Sequence, residues 1–245
     1  MTGARTVSWP GSVKWPDSEV PDLSTDASST DVINFVYDGT SYFGSYDLGY
    51  NKTEIGFNSA GNCGGDVGSC SFSNSAGDLM LITDIGDTGA GTTPSCSYNG
   101  VSATELDSVQ EPSDRWLYIF YLTNPATGSH TISCTGPSFN EISAVTYSGA
   151  NTTSQPDTHS VQGPVGSDVS YSATSTVDNA WAVAWAYGGG TITAGANTTF
   201  RGTVLDGSSF ADNDGPIQPA GSVSLNYNFS NSTTHEGFVV TIKPE

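Results

Sequence analysis

Basic residues are scarce in this chain. Six Lys and Arg stand against 25 Asp and Glu over 245 residues, a formal net charge of −19. Contact with a nucleic-acid backbone needs Lys and Arg to displace counterions, so nucleic acid is excluded as a partner. The same charge repels an anionic membrane surface and suits a solubilising exterior. No apolar run reaches the length of a membrane-spanning helix, so no membrane partner is expected. Leu, Lys, Glu and Met are thin throughout, and no stretch carries a 3.6-residue apolar period long enough for a helix. There is no C-x-x-C, no G-x-S-x-G and no heptad repeat. These absences argue against a zinc cluster, a serine nucleophile elbow and a coiled-coil shaft.

What remains is turn and strand chemistry. Gly 29 and Pro 12, with abundant Ser, Thr, Asn and Asp, punctuate the chain at short intervals. Residues 116–122, WLYIFYL, are seven consecutive apolar residues, closed after Thr123 by Asn124-Pro125. A run this short and aromatic predicts a strand buried on both faces, with neighbours on either side and a layer above and below. Further strands are expected at 69–73, 78–84, 95–106 (a hairpin about Asn99-Gly100), 130–135, 142–147, 169–176, 180–187, 198–205, 223–229 and 237–242. In 181–187, Trp181, Val183, Trp185 and Tyr187 alternate with Ala182, Ala184 and Ala186, the pattern of a strand with bulky residues on one core face and small ones on the other. The fold class is therefore all-β: a small N-terminal β unit over residues 1–52, followed by an antiparallel β-sandwich over 53–245, immunoglobulin-like or jelly-roll.

Cys63 and Cys70 flank a Gly-rich loop, and Cys96 and Cys134 lie near the ends of two expected strands. An even count at such places predicts disulfides Cys63–Cys70 and Cys96–Cys134 and an oxidising destination. The three histidines, His130, His159 and His235, do not fall at ligand spacing and are expected on the surface. Asp212-Asn213-Asp214-Gly215 has the oxygen density of a calcium loop, though it lacks the closing Glu, so Asp212 and Asp214 are the candidate calcium ligands, with ordinary Asx turns as the alternative. Asp84 and Asp87 form a second loose acidic cluster. No other cofactor is expected.

The first 16 residues, MTGARTVSWPGSVKWP, have no apolar core of a secretory signal, and Met1 is expected to be a pinned, unprocessed end. Two Trp-Pro pairs are followed by a hairpin signal at Asp38-Gly39, between β-rich runs at 32–37 and 41–46. Such a unit is marginal alone and gains from a neighbour or from oligomerisation. The spaced residues Trp9, Pro10, Ser12, Val13, Lys14, Trp15, Pro16, Pro21, Leu23, Asp31, Val32, Phe35, Asp38, Gly39, Tyr42, Phe43 and Gly44 resemble a short module of bacteriophage virion proteins, most often at the end of tail-fibre-type chains. The segments GDLMLIT, SYNGVSATEL, FYLTNPATGSHTISC and EISAVTYSGAN resemble an immunoglobulin-like or jelly-roll module of phage virion proteins and secreted bacterial surface proteins.

These resemblances imply a non-enzymatic structural protein on the surface of a phage particle. Trp9, Pro10, Trp15 and Pro16 would anchor it to a major capsid or tail protein or build an oligomer, a homotrimer by analogy, and the sandwich would project outward. The lack of heptads and of a repeated shaft favours a capsid decoration protein or head fibre. The alternatives are a tail-fibre tip that recognises host surface glycan, and a secreted bacterial adhesin or carbohydrate-binding module. A hydrolase using two carboxylates is the least supported, because the acids cluster in Gly/Ser turns.

Overall fold

β-Branched and aromatic residues in short runs between Gly, Asn and Asp turns leave the chain little choice but strands. The computed structural model describes residues 7–23, 31–48, 54–64, 67–87, 94–110, 115–135, 140–165, 168–188, 190–205, 207–230 and 235–245; Met1 lies outside them. Two compact units are present, Met1–Lys52 and Thr53–Glu245.

The first unit is a three-stranded sheet. β1 (Val13–Lys14) runs parallel to β3 (Tyr42–Asp47), and β3 pairs antiparallel with β2 (Val32–Tyr37). The β2–β3 turn falls at Asp38-Gly39. The Asp38 carboxylate accepts the backbone N–H of Thr40 and Ser41, both at 2.8 Å, and Gly39 takes φ 98°, a conformation that favours glycine. Those N–H groups, Ser41 first, hold the Asp38 carboxyl below its usual range.

The second unit holds two sandwiches where the sequence predicts one. The first is built from β4 (Gly56–Cys63), β5 (Ser69–Asn74), β6 (Leu79–Asp87), β7 (Ser95–Tyr98), β8 (Val101–Ser102), β9 (Thr104–Gln110), β10 (Arg115–Thr123), β11 (Gly128–Thr135) and β12 (Asn140–Ser148). The second is built from β13 (Thr158–Val165), β14 (Asp168–Thr174), β15 (Trp181–Tyr187), β16 (Ile192–Ala194), β17 (Thr199–Leu205), β18 (Ser208–Asp212), β19 (Ser222–Phe229) and β20 (His235–Ile242). Their sheets have orders β4-β12-β6-β10-β9 with β5-β11-β7-β8, and β13-β20-β15-β18-β17 with β14-β19-β16. Treating β8 and β9 as one strand interrupted at Ala103, the two halves have the same strand order, sheet for sheet. First-with-last and third-with-sixth pairing opposite a second-seventh-fourth sheet is the jelly-roll order, not the immunoglobulin one. In the first half the β8–β9 strand begins on β7 and crosses to β10, so it edges both sheets.

Three cores separate four layers. One lies inside the first sandwich (Phe72, Met80, Ile82, Tyr98, Phe120, Ile132, Ile142), and another inside the second (Tyr171, Ala182, Ala184, Leu225, Tyr227, Val239). The third lies between the two five-stranded sheets, where Leu79, Leu81, Leu117, Ile119 and Val145 meet Trp181, Val183, Trp185, Phe238 and Val240. Both five-stranded sheets are thus covered on both faces, which is why β10 and β15 have no polar stripe. β10 lies between β6 and β9, with Leu117 and Ile119 in the shared core and Phe120 and Leu122 in the other. β15 divides as its alternation requires: Trp181, Val183, Trp185 and Tyr187 enter the shared core, and the three alanines line the inner core of the second sandwich. Each such aromatic or branched side chain contributes on the order of 2 kcal/mol by burial.

Candidate functional site

In the N-terminal unit the sheet is too small to hide its own aromatics. Successive side chains alternate, so Phe35, Tyr37, Tyr42 and Tyr46 share one face, and the two tryptophans lie over it. Trp9 and Trp15 meet edge-on at 5.0 Å between ring centres; Phe35 is 5.8 Å from both, Tyr46 is 5.9 Å from Trp15, and Tyr37 is 4.7 Å from Tyr42. Gly44 lies on the same face, and its missing Cβ gives the Trp15 ring its place. The predicted anchoring residues are therefore together: Trp9 and Trp15 half-buried, Pro10 and Pro16 exposed. Phe35, Tyr37 and Tyr42 remain 44%, 55% and 44% exposed. The opposite face presents Val36, 68% exposed, directly across from Phe43, 48% exposed, with Lys14 beside Phe43. Both sides of this small sheet therefore carry exposed apolar side chains. Sequence reading singled out the Trp-Pro pairs as anchors and missed Val36 and Phe43 as a second face; the hairpin register carries that signal.

Asp212 and Asp214, the candidate calcium ligands with ordinary Asx turns as the alternative, pair with Arg201. The Arg201 guanidinium donates from Nε to Asp212 Oδ2 at 2.7 Å and from Nη2 to Oδ1 at 2.8 Å, and it also contacts Asp214. Tyr147 Oη donates to Asp212 Oδ2 at 2.8 Å, and the Asp214 N–H donates to Asp212 Oδ1 at 2.9 Å. Asp212 is fully buried, and both its oxygens accept from these donors, so its charge is paired inside the protein. Burial opposes the Arg201 charge, but Asp212 and then Asp214 outweigh it and hold the guanidinium protonated. Burial, then Asp212, pushes the Tyr147 phenol well up, so it stays a donor. Arg201 also lies 4.7 Å from the Phe57 ring centre. Tyr147 and Phe57 belong to the first sandwich and Arg201 and Asp212 to the second, so the cluster is a latch between them. Arg115 Nη1 donating to Tyr187 Oη at 2.6 Å, Ser208 Oγ donating to Glu141 Oε1 at 3.3 Å and His159 at 3.5 Å from Asp107 add polar contacts around the shared core. The signal for Arg201 was one of few basic residues inside an apolar strand, TFRGTVL.

Both expected disulfides are present, Cys63–Cys70 with Cα atoms 5.5 Å apart and Cys96–Cys134 at 4.1 Å. The second joins directly opposed residues of β7 and β11. Asp84, read as part of a loose acidic cluster, is 1% exposed on β6 and faces that disulfide, with no hydrogen-bond partner among the described residues for either carboxylate oxygen. Burial pushes its carboxyl up to about 7. His235 also departs from expectation: it is buried, its ring stacked on Phe229 at 3.7 Å, because β20 is covered on both faces. His130 is half-buried with Nε2 2.9 Å from the Thr127 carbonyl, and His159 is exposed.

Small pockets line the described surface. One, bounded by Asn62, the Cys63–Cys70 bridge, Phe72 and Ile142, has a volume of about 30 Å³, room for a water molecule. Comparison with protein-family models, with curated proteins and with solved structures finds no match for this chain.

Proposed function

We propose that this chain is a non-enzymatic structural protein of a bacteriophage virion, displayed on the particle surface as a capsid decoration protein or head fibre, with residues 1–52 as its attachment element. The observation that carries this reading is the two-faced apolar sheet of the N-terminal unit, on which Val36 is 68% and Tyr37 55% exposed. Aromatic residues held on a small sheet are rigid anchors with little side-chain entropy left to lose, and a partner surface is what would cover them. A major capsid or tail protein is the proposed partner, with three copies of this chain as the proposed oligomer.

The body suits display. Three cores, two disulfides and a buried ionic latch resist unfolding outside a cell. Jelly rolls serve in viral capsids and in lectins alike. That shared use supports a second reading, a tail-fibre tip that binds host surface glycan.

Copy number per particle tests the proposal. Quantitative mass spectrometry of purified virions against the major capsid protein should find hundreds of copies. A handful would move the chain to the tail and make glycan recognition its role. None would overturn the virion reading in favour of a secreted adhesin.

A further inference from the structure

The buried carboxylate of Asp84 has no role in the fold described above. It lies on β6, on the face that covers the β5-β11-β7-β8 sheet, and the cross-strand pair Cys96–Cys134 stands opposite. One carboxylate oxygen and both sulfurs lie within 4.8 Å of one another, and all three residues are buried, at 1%, 1% and 3% exposure. Neither Asp84 oxygen has a hydrogen-bond partner among the described residues. An interior carboxylate is retained where it is paired, protonated or coordinating a metal, and a neutral apolar residue would fill the place more stably.

We propose that Asp84, Cys96 and Cys134 form a binding site for a thiophilic divalent cation of the zinc type when the Cys96–Cys134 bridge is reduced, so that metal and disulfide are alternative closures of the same strand pair. Tetrahedral coordination with bonds of roughly 2.3 Å to sulfur and 2.1 Å to oxygen spaces ligand atoms about 3.5–3.8 Å apart. The three ligand atoms lie within 4.8 Å of one another, and reduction frees the two sulfurs to move apart from bonding distance toward the tetrahedral spacing. Two thiolates and one carboxylate supply three positions and leave the fourth for water. Soft sulfur ligands select zinc over calcium or magnesium. In the reduction, a thiol or phosphine reductant supplies two electrons, the S–S bond breaks, and each sulfur takes a proton from solvent. In the binding step both thiol protons, and the carboxyl proton of any protonated Asp84, return to solvent as two metal–sulfur bonds and one metal–oxygen bond form, with no change of oxidation state. A chain made where thiols stay reduced and used where they oxidise meets both states. The proposal does not depend on the virion reading.

The test uses the full chain carrying Cys63→Ser and Cys70→Ser, which removes the other pair of thiols. It is reduced with a phosphine and titrated with Co²⁺ as the spectroscopic probe, then with Zn²⁺. The expected result is a thiolate-to-cobalt charge-transfer band, lost on adding Zn²⁺, missing in the oxidised chain, and requiring about ten-fold or more cation in Asp84→Asn. No such band, or equal affinity in Asp84→Asn, overturns the proposal. The unsubstituted chain, reduced in the same way, is the second measure. Zn²⁺ should raise its thermal midpoint, or restore its β-sheet circular dichroism if reduction unfolds it, and Asp84→Asn should abolish that effect; an equal effect in the variant, or none in the parent, also overturns it.

Discussion

Trp15 lies against Gly44 so closely that a Cβ on Gly44 would overlap its six-membered ring. Trp15, just after β1, and Gly44, in β3, are therefore one packing unit, and Gly44→Ala must lift the indole off the sheet. If residues 1–52 attach the chain to a particle as proposed, we expect a red-shifted tryptophan emission and at least a ten-fold loss of chain bound to particles. Fluorescence and co-sedimentation with virions stripped of the chain read both; retained binding with a displaced indole would remove Trp15 from the anchor.

The Arg201–Asp212 latch makes a prediction about stability and another about calcium. Asp212→Ala leaves the guanidinium and the Tyr147 hydroxyl without their shared acceptor, and breaking one side of a buried pair costs about 3–5 kcal/mol. Denaturant unfolding of the variant checks this. Because Arg201 holds both carboxylates, calcium and a chelator should give the same thermal midpoint, and a rise with calcium would restore Asp212 and Asp214 as ligands.

Asp84 sets a pH dependence in the disulfide-bonded chain. Its folded carboxyl titrates near 7, above the ordinary 3.8 of the unfolded chain. The unfolded state therefore releases its proton first as pH rises, and stability falls between pH of about 4 and 7, then levels. At about 1.4 kcal/mol per unit the loss amounts to roughly 4 kcal/mol. Asp84→Asn, which mimics the protonated acid, should match the parent near pH 4 and exceed it by several kcal/mol at pH 8. Urea titrations of both proteins across that range decide it; parallel curves would refute the assignment.

The two disulfides should differ in weight. Cys96 and Cys134 close a span of 38 residues, and Cys63 and Cys70 one of 7. Loop-closure entropy gives about 4 kcal/mol for the first and about 2 kcal/mol for the second. Paired Cys→Ser variants, measured by denaturant midpoint, should fall in that order.

Much of the strand pattern was legible because it follows from local rules. Two-sided burial of β10 shows in seven apolar residues, and the Trp/Ala alternation of β15 assigns each side chain to its face. The Asp38-Gly39 turn and both cysteine pairs could be read in the same way. The strands that escaped are β1, β4, β13, β16 and β18. β4 and β13 are edge strands, GFNSAGNC and THSVQGPV, where small and polar residues suffice because only one neighbour must be satisfied. The Ser-rich β18, SSFAD, is buried, and nothing local announces that.

The sequence by itself determined that this chain is all-β, where most strands lie, and how the apolar residues of β10 and β15 are buried, because alternation and turn chemistry act over a few residues. Tertiary structure alone decided that the strands after residue 53 divide into two jelly rolls sharing a core, that Arg201 pairs with Asp212, and that Asp84 faces the Cys96–Cys134 bridge. Periodicity says that a side chain is inside; which sheet it meets depends on pairing between strands far apart in the chain, such as β4 with β12 and β13 with β20, and on which covered faces come together.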